Sequence, residues 1–214
     1  GHTLVVGLGE KSWQFLQTCE DKLRFVVVER DPDFVLVGAA RAMGFNLASR
    51  DVNKPGGFSN LNISRANSVI IFTESDAQNI EIANIHMKNG AFQPAVQWFS
   101  AAIWWQGVDG LHIHGCIIES CESGFYSAGG SKNVTIHDNI FDGCNIPIRL
   151  RQDSTQGAQN VVVYNNLLVN STGYYSDTLS LSANDPGQVV VNNIIMNNPG
   201  DGIVGGNAPA GTTV

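Results

Sequence analysis

The sequence predicts a mainly β protein: a right-handed parallel β-helix with coils of 23–27 residues, preceded by an α/β Rossmann-like segment. The first observation is an eleven-residue phrase that occurs four times, starting at Gly110, Asn133, Asn160 and Gly187. This period is too short for two helices per repeat and suits a solenoid coil of three short strands. The second observation is that the first ninety residues lack the repeat and alternate predicted strands with predicted helices.

When the four copies are aligned, their apolar positions form three columns that we expect to fill the solenoid interior. The first is Ile113, Ile136, Val163 and Val190; the second is Ile117, Ile140, Leu167 and Ile194; the third is Ile118, Phe141, Leu168 and Ile195. Between the first and second columns lies a turn doublet whose second residue is Cys116, Asn139, Asn166 or Asn193. Stacked asparagines can exchange amide hydrogen bonds from coil to coil, which satisfies polar groups inside the turn.

A strand that closes the coil is predicted at residues 102–105, 124–126, 146–150 and 178–181. With these strands and columns, the chain from about residue 68 to residue 214 resembles the pectate-lyase-like superfamily of right-handed β-helices. That superfamily includes polysaccharide lyases and uronan epimerases, so the resemblance implies a carbohydrate-active protein. A sixth coil would start at the C-terminus, and we therefore expect a solenoid that is truncated there.

The N-terminal residues predict a parallel α/β sheet. Apolar strands at 3–6, 25–28 and 69–72 alternate with helical patterns at 10–19 and 32–43, which is the order of a βαβαβ unit. Parallel strands need such crossover connections, so the pattern indicates a Rossmann-like segment ahead of the solenoid.

A dinucleotide-binding fingerprint follows the first of these strands. Gly7 and Gly9 are its first two glycines, and Ser12 stands in place of the third. The glycines allow a tight turn and let a phosphate approach the N-terminus of the next helix. Glu29 ends the second strand 22 residues after Gly7, where a ribose hydroxyl would be held.

In this order the motifs of residues 1–80 resemble the nucleotide-binding half of the RCK family, the cytosolic regulators of potassium channels and transporters. The resemblance implies NAD or an adenine nucleotide as ligand. Its contacts would be Gly7 and Gly9 to phosphate, Glu29 to ribose, Asp51 at the end of the third strand, and Thr73 on the far side of the ligand. Ser12 and Arg50 depart from the family's glycines. The alternative is that residues 1–60 are an α/β cap for the solenoid and bind no ligand.

These patterns divide the chain into residues 1–67, a partial Rossmann-like segment, residues 68–90, which both patterns claim, and residues 91–214, the β-helix. In the overlap, Asp76 can cap a helix with Ile80, Ala83 and Met87 on one face. Alternatively the overlap opens the first coil, with Ile80 and Ile82 inward. Ile85 then falls in the asparagine column and His86 in an apolar column. This conflict predicts a chimera of two unrelated parents, joined between residues 56 and 92.

Catalytic groups in a β-helix must come from outward positions on neighbouring strands. The candidates on the first sheet are His112, His114, His137 and Tyr164, in coils about 4.8 Å apart. A neutral histidine near a tyrosine can abstract the C5 proton of a uronic acid and protonate the leaving oxygen. Arg149 and Arg151, outward on a closing strand, would neutralise the substrate carboxylate. The alternative is an exposed strand surface with no catalytic role.

Composition limits the partners. The net charge of -7, without a Lys/Arg stripe, argues against nucleic acid but leaves an acidic polysaccharide open. Because there is no apolar run of about 18 residues and no charged-then-apolar leader, we expect neither a membrane span nor a signal peptide. The β-helix part suggests a secreted or periplasmic location, whereas the N-terminal part suggests the cytoplasm.

The cysteines and a set of four carboxylates are the residues that bear on a metal site or a disulfide. The four cysteines lack CxxC spacing, which argues against a zinc site. Cys121 and Cys144 fall in one column of adjacent coils, within disulfide range, and the alternative is a stack of buried thiols. Four carboxylates are candidates for a calcium site: Glu119, Glu122, Asp138 and Asp142. Of these, Glu119 and Asp142 share a column.

Three functions follow from the sequence and stay open. The first is a polysaccharide lyase or epimerase acting on an acidic, uronic-acid glycan. The second is an RCK-type nucleotide-binding regulatory domain of a potassium channel or transporter. The third is an inactive structural chimera.

Overall fold

The computed structural model describes residues 1–52, 54, 57–58, 60–72, 78–89, 101–127, 130–150, 159–172, 177–181, 187–199 and 201–205. The N-terminal elements are β1 His2–Val6, α1 Glu10–Gln17, β2 Phe25–Glu29, α2 Val35–Ala42, β3 Asn46–Ser49 and β4 Ala66–Phe72, with 3₁₀ turns at Lys22–Arg24 and Ile63–Arg65. The strands alternate with helices as predicted, although α2 begins at Val35 rather than at Pro32.

The coils that follow contribute strands to three parallel sheets. The first sheet contains β5 Gln78–Ala83, β8 Asp109–His114, β11 Lys132–His137, β14 Gln159–Tyr164 and β17 Val189–Val191. The second sheet contains β6 His86–Lys88, β9 Ile117–Glu119, β12 Ile140–Asp142, β15 Leu167–Val169 and β18 Ile194–Met196. The closing strands are β7 Ala101–Gln106, β10 Ser123–Ser127, β13 Ile146–Leu150, β16 Asp177–Leu181 and β19 Asp201–Gly205. This architecture confirms the predicted parallel β-helix with an N-terminal α/β segment.

The closing strands and the Rossmann-like strands form one long sheet, in the order β19-β16-β13-β10-β7-β4-β1-β2-β3. Strand β4 joins the two parts, since it pairs in parallel with β1 on one edge and with β7 on the other. Val69, for example, lies opposite Leu4 and opposite Ile103. A half Rossmann sheet would expose the edge of β4, and the solenoid strand β7 covers that edge.

The long sheet has a different core on each face. Leu4, Val6 and Ile71 belong to the cluster that fills the solenoid interior, whereas Val5 and Ile70 face the helices α1 and α2. Leu61 is buried in the interior cluster, and Phe58 and Ile63 pack against it. The segment between β3 and β4 therefore adds apolar side chains to the interior core of the solenoid.

The helix-side core continues from the Rossmann-like strands onto the solenoid. Phe15 of α1 lies 5.6 Å from Phe72 of β4, and Phe72 lies 5.2 Å from Trp104 of β7, measured between ring centroids. Trp104 and Tyr126 are buried in the same cluster as the helix residues. The two parts of the chain thus share a packed core as well as a sheet.

Two of the three predicted interior columns are confirmed, and one is wrong. The first column is buried, and so are Ile118, Phe141 and Leu168 of the third. In the second column Ile117, Ile140 and Ile194 are 37%, 38% and 55% exposed. Successive side chains of a strand point to opposite faces, so two adjacent columns cannot both point inward. The inward neighbours of this column are the doublet residues Cys116, Asn139 and Asn166, which are buried.

The overlap segment forms the first coil and not a helix. Ile80 and Ile82 of β5 are buried and lie opposite Leu111 and Ile113 of β8. His86 lies opposite Ile117 in the outward column, so its polar side chain points to the surface of the solenoid. Ile85 takes the place of the asparagine and is buried in the interior cluster. Asp76, the expected cap of the alternative helix, lies outside the described residues.

The predicted asparagine stack is present. Asn139 Nδ2 donates to Asn166 Oδ1, and Asn166 Nδ2 donates to Asn193 Oδ1, both at 2.9 Å. Each side chain also accepts from the backbone N–H of the residue before it in the stack, so buried turn groups are satisfied. We call this set the inner ladder.

Three outer ladders on the surface run in the opposite direction, because each side chain donates to the coil before it. Asn160 donates to Asn133, which donates to Asp109. In the second ladder Asn197 donates to Asn170, and Asn170 donates to Asp142. In the third, Asn192 donates to Asn165, which bonds to Asp138. Each ladder ends on an aspartate, a group that only accepts when it is ionised. Asn133, Asn160, Asn170 and Asn197 all have φ values of 53–55°. Asparagine tolerates this left-handed conformation better than most residues do.

Replacement of Gly7 by alanine tests the tight approach of β1 to β4. Gly7 has a φ of 85°, and a Cβ atom there would lie 2.0 Å from the carbonyl oxygen of Phe72. We expect Gly7→Ala to lower the free energy of unfolding by at least about 2 kcal/mol in urea titrations. Gly38→Ala, in α2 with nothing within 4 Å of the new Cβ, is the control and should stabilise by about 0.5–1 kcal/mol. Equal effects of the two substitutions would contradict this account of the junction.

Candidate functional site

The outer face of the first sheet brings the predicted histidines and the tyrosine together. His114, His137 and Tyr164 occupy the same position on β8, β11 and β14, and His112 lies opposite Thr135 one column away. His112 is exposed, whereas the other three are half-buried. The two columns lie on the same face because their positions are two residues apart on each strand.

The rings of His114, His137 and Tyr164 form a stack along the solenoid axis. The centroids of His114 and His137 are 4.9 Å apart with an interplanar angle of 8°, and those of His137 and Tyr164 are 4.7 Å apart with an angle of 7°. These separations match the spacing of neighbouring strands, so the register of the sheet sets the stack. Stacked rings present their edges, and with them their polar atoms, to solvent.

Two carboxylates fix the orientation of the stacked histidines. His137 Nδ1 lies 2.7 Å from Asp138 Oδ2, and His114 Nε2 lies 2.9 Å from Glu81 Oε1. The hydrogen bond from His137 lowers the pKa of Asp138, with a smaller contribution from Asn165. An ionised Asp138 favours the tautomer of His137 with the proton on Nδ1, which leaves Nε2 as the basic nitrogen.

An open groove of about 650 Å³ runs beside the ring stack on the same sheet. It is lined by Asp109, Gly110, His112, Asn133, Thr135, Asn160 and Val162. Amide, hydroxyl, imidazole and carboxylate groups thus line neighbouring coils. Such a surface offers repeated hydrogen-bonding groups along the solenoid axis.

The glycine turn between β1 and α1 is held by side chains of this chain. Leu8 N–H donates to Glu29 Oε2 at 2.9 Å, and the other carboxylate oxygen accepts from Asp31 N–H at 3.1 Å. Gly9 N–H donates to Ser12 Oγ at 2.7 Å, and Ser12 Oγ donates back to Gly9 O at 3.1 Å. The turn, the helix N-terminus and the acid at the end of β2 therefore lie together, as in a dinucleotide site.

Two family models match the chain. The model described as right handed beta helix region matches residues 69–214. The chain belongs to the right-handed β-helix family. The model of the TrkA-N domain matches residues 3–94, which confirms the RCK-type resemblance of the N-terminal part of this β-helix protein. Both models include residues 69–94, and β4 within that range pairs with both parts of the long sheet. No curated protein and no solved structure gives a significant match.

The chemical groups of the glycine turn are of the types that hold a nucleotide in a dinucleotide site. TrkA-N domains in general bind NAD(H). Glu29 uses one hydrogen bond on each oxygen, and a carboxylate oxygen can accept a second from a ribose hydroxyl. Gly9 N–H, which would face a phosphate in a dinucleotide site, donates to Ser12 Oγ. Asp51 is half-buried beyond the end of β3 and lies 3.6 Å from Lys54 Nζ, whereas Thr73 lies outside the described residues.

The structure places Arg149 on a different sheet from the histidines of the β-helix. Arg149 belongs to β13 in the long sheet, and its guanidinium lies 5.4 Å from the centroid of the Tyr126 ring. The histidines belong to the first sheet, so Arg149 faces a different side of the coil. Arg151 lies outside the described residues. Arg149 thus lies on a closing strand as predicted, and its role toward a substrate carboxylate stays a prediction.

The expected calcium site receives no support. Glu119 and Asp142 lie in register as predicted, but Glu119 is engaged by His86 at 2.9 Å and by Lys88 at 3.3 Å. The hydrogen bond from His86, followed by that from Lys88, lowers the pKa of Glu119. Within the described part of the chain, no group of three or more His, Cys, Asp and Glu residues is placed to hold a metal ion.

Cys121 and Cys144 are buried thiols in neighbouring coils and are not joined by a disulfide. A hydrogen bond with Cys121, together with burial, raises the pKa of Cys144. Thiols in this state react poorly as nucleophiles, so the pair packs the interior of the β-helix. No helix in the described ranges is both long enough and apolar enough to span a membrane.

Sequence reasoning missed Glu81 and the role of Asp138. Asp138 directly follows His137, and that adjacency was the available signal for a carboxylate partner. Glu81 lies on the first coil, opposite His112 of the next coil. It was not predicted because residues 68–90 fit two structural patterns. Extending the columns of the β-helix by one coil would have found it.

The hydrogen bond between His137 and Asp138 predicts a pH dependence of stability. The pKa of Asp138 in the folded chain lies below its unfolded value, so the ionised carboxylate stabilises the fold above about pH 4. That stabilisation is lost as the pH falls through the lowered pKa. We expect urea midpoints measured between pH 2 and pH 7 to fall less steeply for Asp138→Asn than for wild type. Asp33→Asn, at an exposed position outside the sheet, should follow the wild-type profile.

Proposed function

We propose that the β-helix is a polysaccharide lyase or epimerase that acts on an acidic glycan at the outer face of the first sheet. The observation that carries the proposal is the position of His137, which is held by Asp138 and stacked on Tyr164 beside a polar groove. A base and an acid one coil apart can reach adjacent atoms of the same sugar residue.

The chemistry assigns a separate role to each group of this pair. His137 Nε2 takes the proton from C5 of the uronic acid, and the electron pair of the broken C–H bond forms the C4–C5 double bond. The C4–O4 bond breaks, and the hydroxyl of Tyr164 donates its proton to the leaving oxygen. Asp138 stabilises the imidazolium that forms on His137. In the epimerase variant, C5 is reprotonated from the opposite face and the chain stays intact.

The groove supplies the recognition of the glycan. The side chains of Asn133, Asn160 and Thr135 offer amide and hydroxyl groups for sugar hydroxyls. Lys132 is the one Lys or Arg residue on the five strands of the first sheet, and its side chain is exposed. It is therefore the cation that we assign to the carboxylate of the uronic acid.

The test measures release of unsaturated uronate from alginate and pectate, and epimerisation at C5 by NMR. We expect His137→Ala to lower the rate at least about 100-fold, since the general base is lost. His86→Ala, which removes a histidine from the second sheet, is the matched control and should keep the wild-type rate. Absence of both products from wild type on every polyuronate tried would rule out this function.

We also propose that the TrkA-N part binds NAD(H) or an adenine nucleotide, as in an RCK-type regulatory domain. The match to residues 3–94 and the position of Glu29 beside the glycine turn support it. Gly7 and Gly9 would bring backbone near the phosphate, Glu29 would hold the ribose, and Asp51 would lie at the edge of the site.

Thermal denaturation with NADH, NAD+, ATP and ADP tests the nucleotide proposal. We expect a rise in Tm with at least one of these ligands in the wild-type chain. Gly9→Asp places a negative charge at the turn and should abolish the shift. Leu23→Asp, at a side chain that is 74% exposed before β2, adds the same charge at the other end of the sheet and should retain it. Failure of both functional tests would leave a structural chimera without activity.

A further inference from the structure

The glycine turn satisfies its own hydrogen-bond donors with side chains of this chain. Two consecutive backbone N–H groups, those of Leu8 and Gly9, donate to Glu29 and to Ser12. In a dinucleotide site the N–H groups at this turn face the pyrophosphate. A ligand phosphate that docks here must therefore compete with a group that is already bonded.

Ser12 is the competitor for the N–H of Gly9. Its side chain is fully buried, and its hydroxyl makes two hydrogen bonds to the same residue, accepting from N–H at 2.7 Å and donating to the carbonyl oxygen at 3.1 Å. Gly9 precedes the first turn of α1 with an extended backbone, so its N–H lies at the positive end of the helix dipole. Glycine in place of Ser12 would leave this donor unbonded.

We infer that Ser12 sets the nucleotide affinity of this chain by competing with the ligand phosphate for the N–H of Gly9. The inference rests on the proposed nucleotide site. Breaking one neutral hydrogen bond costs about 1 kcal/mol, which corresponds to about fivefold in an equilibrium constant. Ser12→Ala keeps the Cβ and removes only the hydroxyl, so it should tighten binding of NADH about fivefold.

The experiment titrates NADH into the wild-type chain, Ser12→Ala, Ser12→Gly and a matched control, and follows the fluorescence of the dinucleotide. The control is Thr18→Ala, which removes the hydrogen bond from Thr18 Oγ1 to Phe15 O at the other end of α1. It should destabilise the helix without changing affinity. Hydrogen exchange of the Gly9 amide gives a second readout: exchange in Ser12→Ala should be faster than in wild type without ligand and slow again with NADH.

The possible outcomes distinguish failure of the inference about Ser12 from failure of the proposed nucleotide site. Tighter binding by both Ser12 variants supports the inference. If wild type binds NADH and both variants bind equally or more weakly, Ser12 is not a competitor, whereas the nucleotide site stands. If the variants bind and wild type does not, the inference holds and the nucleotide function of the wild-type chain is refuted. If none of the proteins binds, both are refuted.

Discussion

Backbone pairing on both edges of strand β4 is the constraint on which the rest of the structure depends. The strand pairs in parallel with β1 and β7, so the Rossmann-like strands and the closing strands of the coils must run in one direction. Its side chains alternate between the solenoid interior, where Ile71 packs, and the helix layer, where Ile70 and Phe72 pack. One seven-residue strand therefore sets the register of the sheet and the assignment of its two cores.

This junction also relates the two candidate sites. The glycine turn follows β1, the neighbour of β4, whereas Glu81 belongs to β5, the next described strand after β4 in the chain. Glu81 bonds to His114, the first ring of the stack. Glu81 thus lies on the first coil. The closing strand of that coil, β7, pairs with β4 in the sheet that also carries the glycine turn. The two sites are distinct, yet both depend on the position of β4.

Much of the fold was predictable because a solenoid repeats its environment in every coil. The columns of Ile113 and Ile118 and the asparagine stack follow directly from the aligned copies, and the histidine positions follow from the same register. The column of Ile117 was mispredicted because apolar character was taken as inward direction, although alternation along a three-residue strand requires Ile117 to point outward when Ile118 points inward. Arg149 falls on a closing strand as predicted, but its separation from the histidines was not predictable, because a repeat pattern gives the column of a residue and not the angle between sheets. Glu81 was overlooked since its coil has Ile85 instead of asparagine, and one altered residue concealed the register.

The outer ladders add a hydrogen-bond direction to the solenoid that is opposite to the direction of the inner ladder. Every asparagine in them passes a hydrogen bond toward the N-terminus, and the aspartates at the start can only receive one. A coil with asparagines at the same positions can therefore be inserted behind an existing one without breaking the series, whereas the first coil, which lies ahead of Asp109, receives no side-chain amide from that aspartate. The 27-residue period of the later copies is in this sense a unit of duplication. Lengthening the protein by whole coils preserves every ladder, and the coils need not share one length, because ladder bonds already join residues 24, 27 and 28 positions apart.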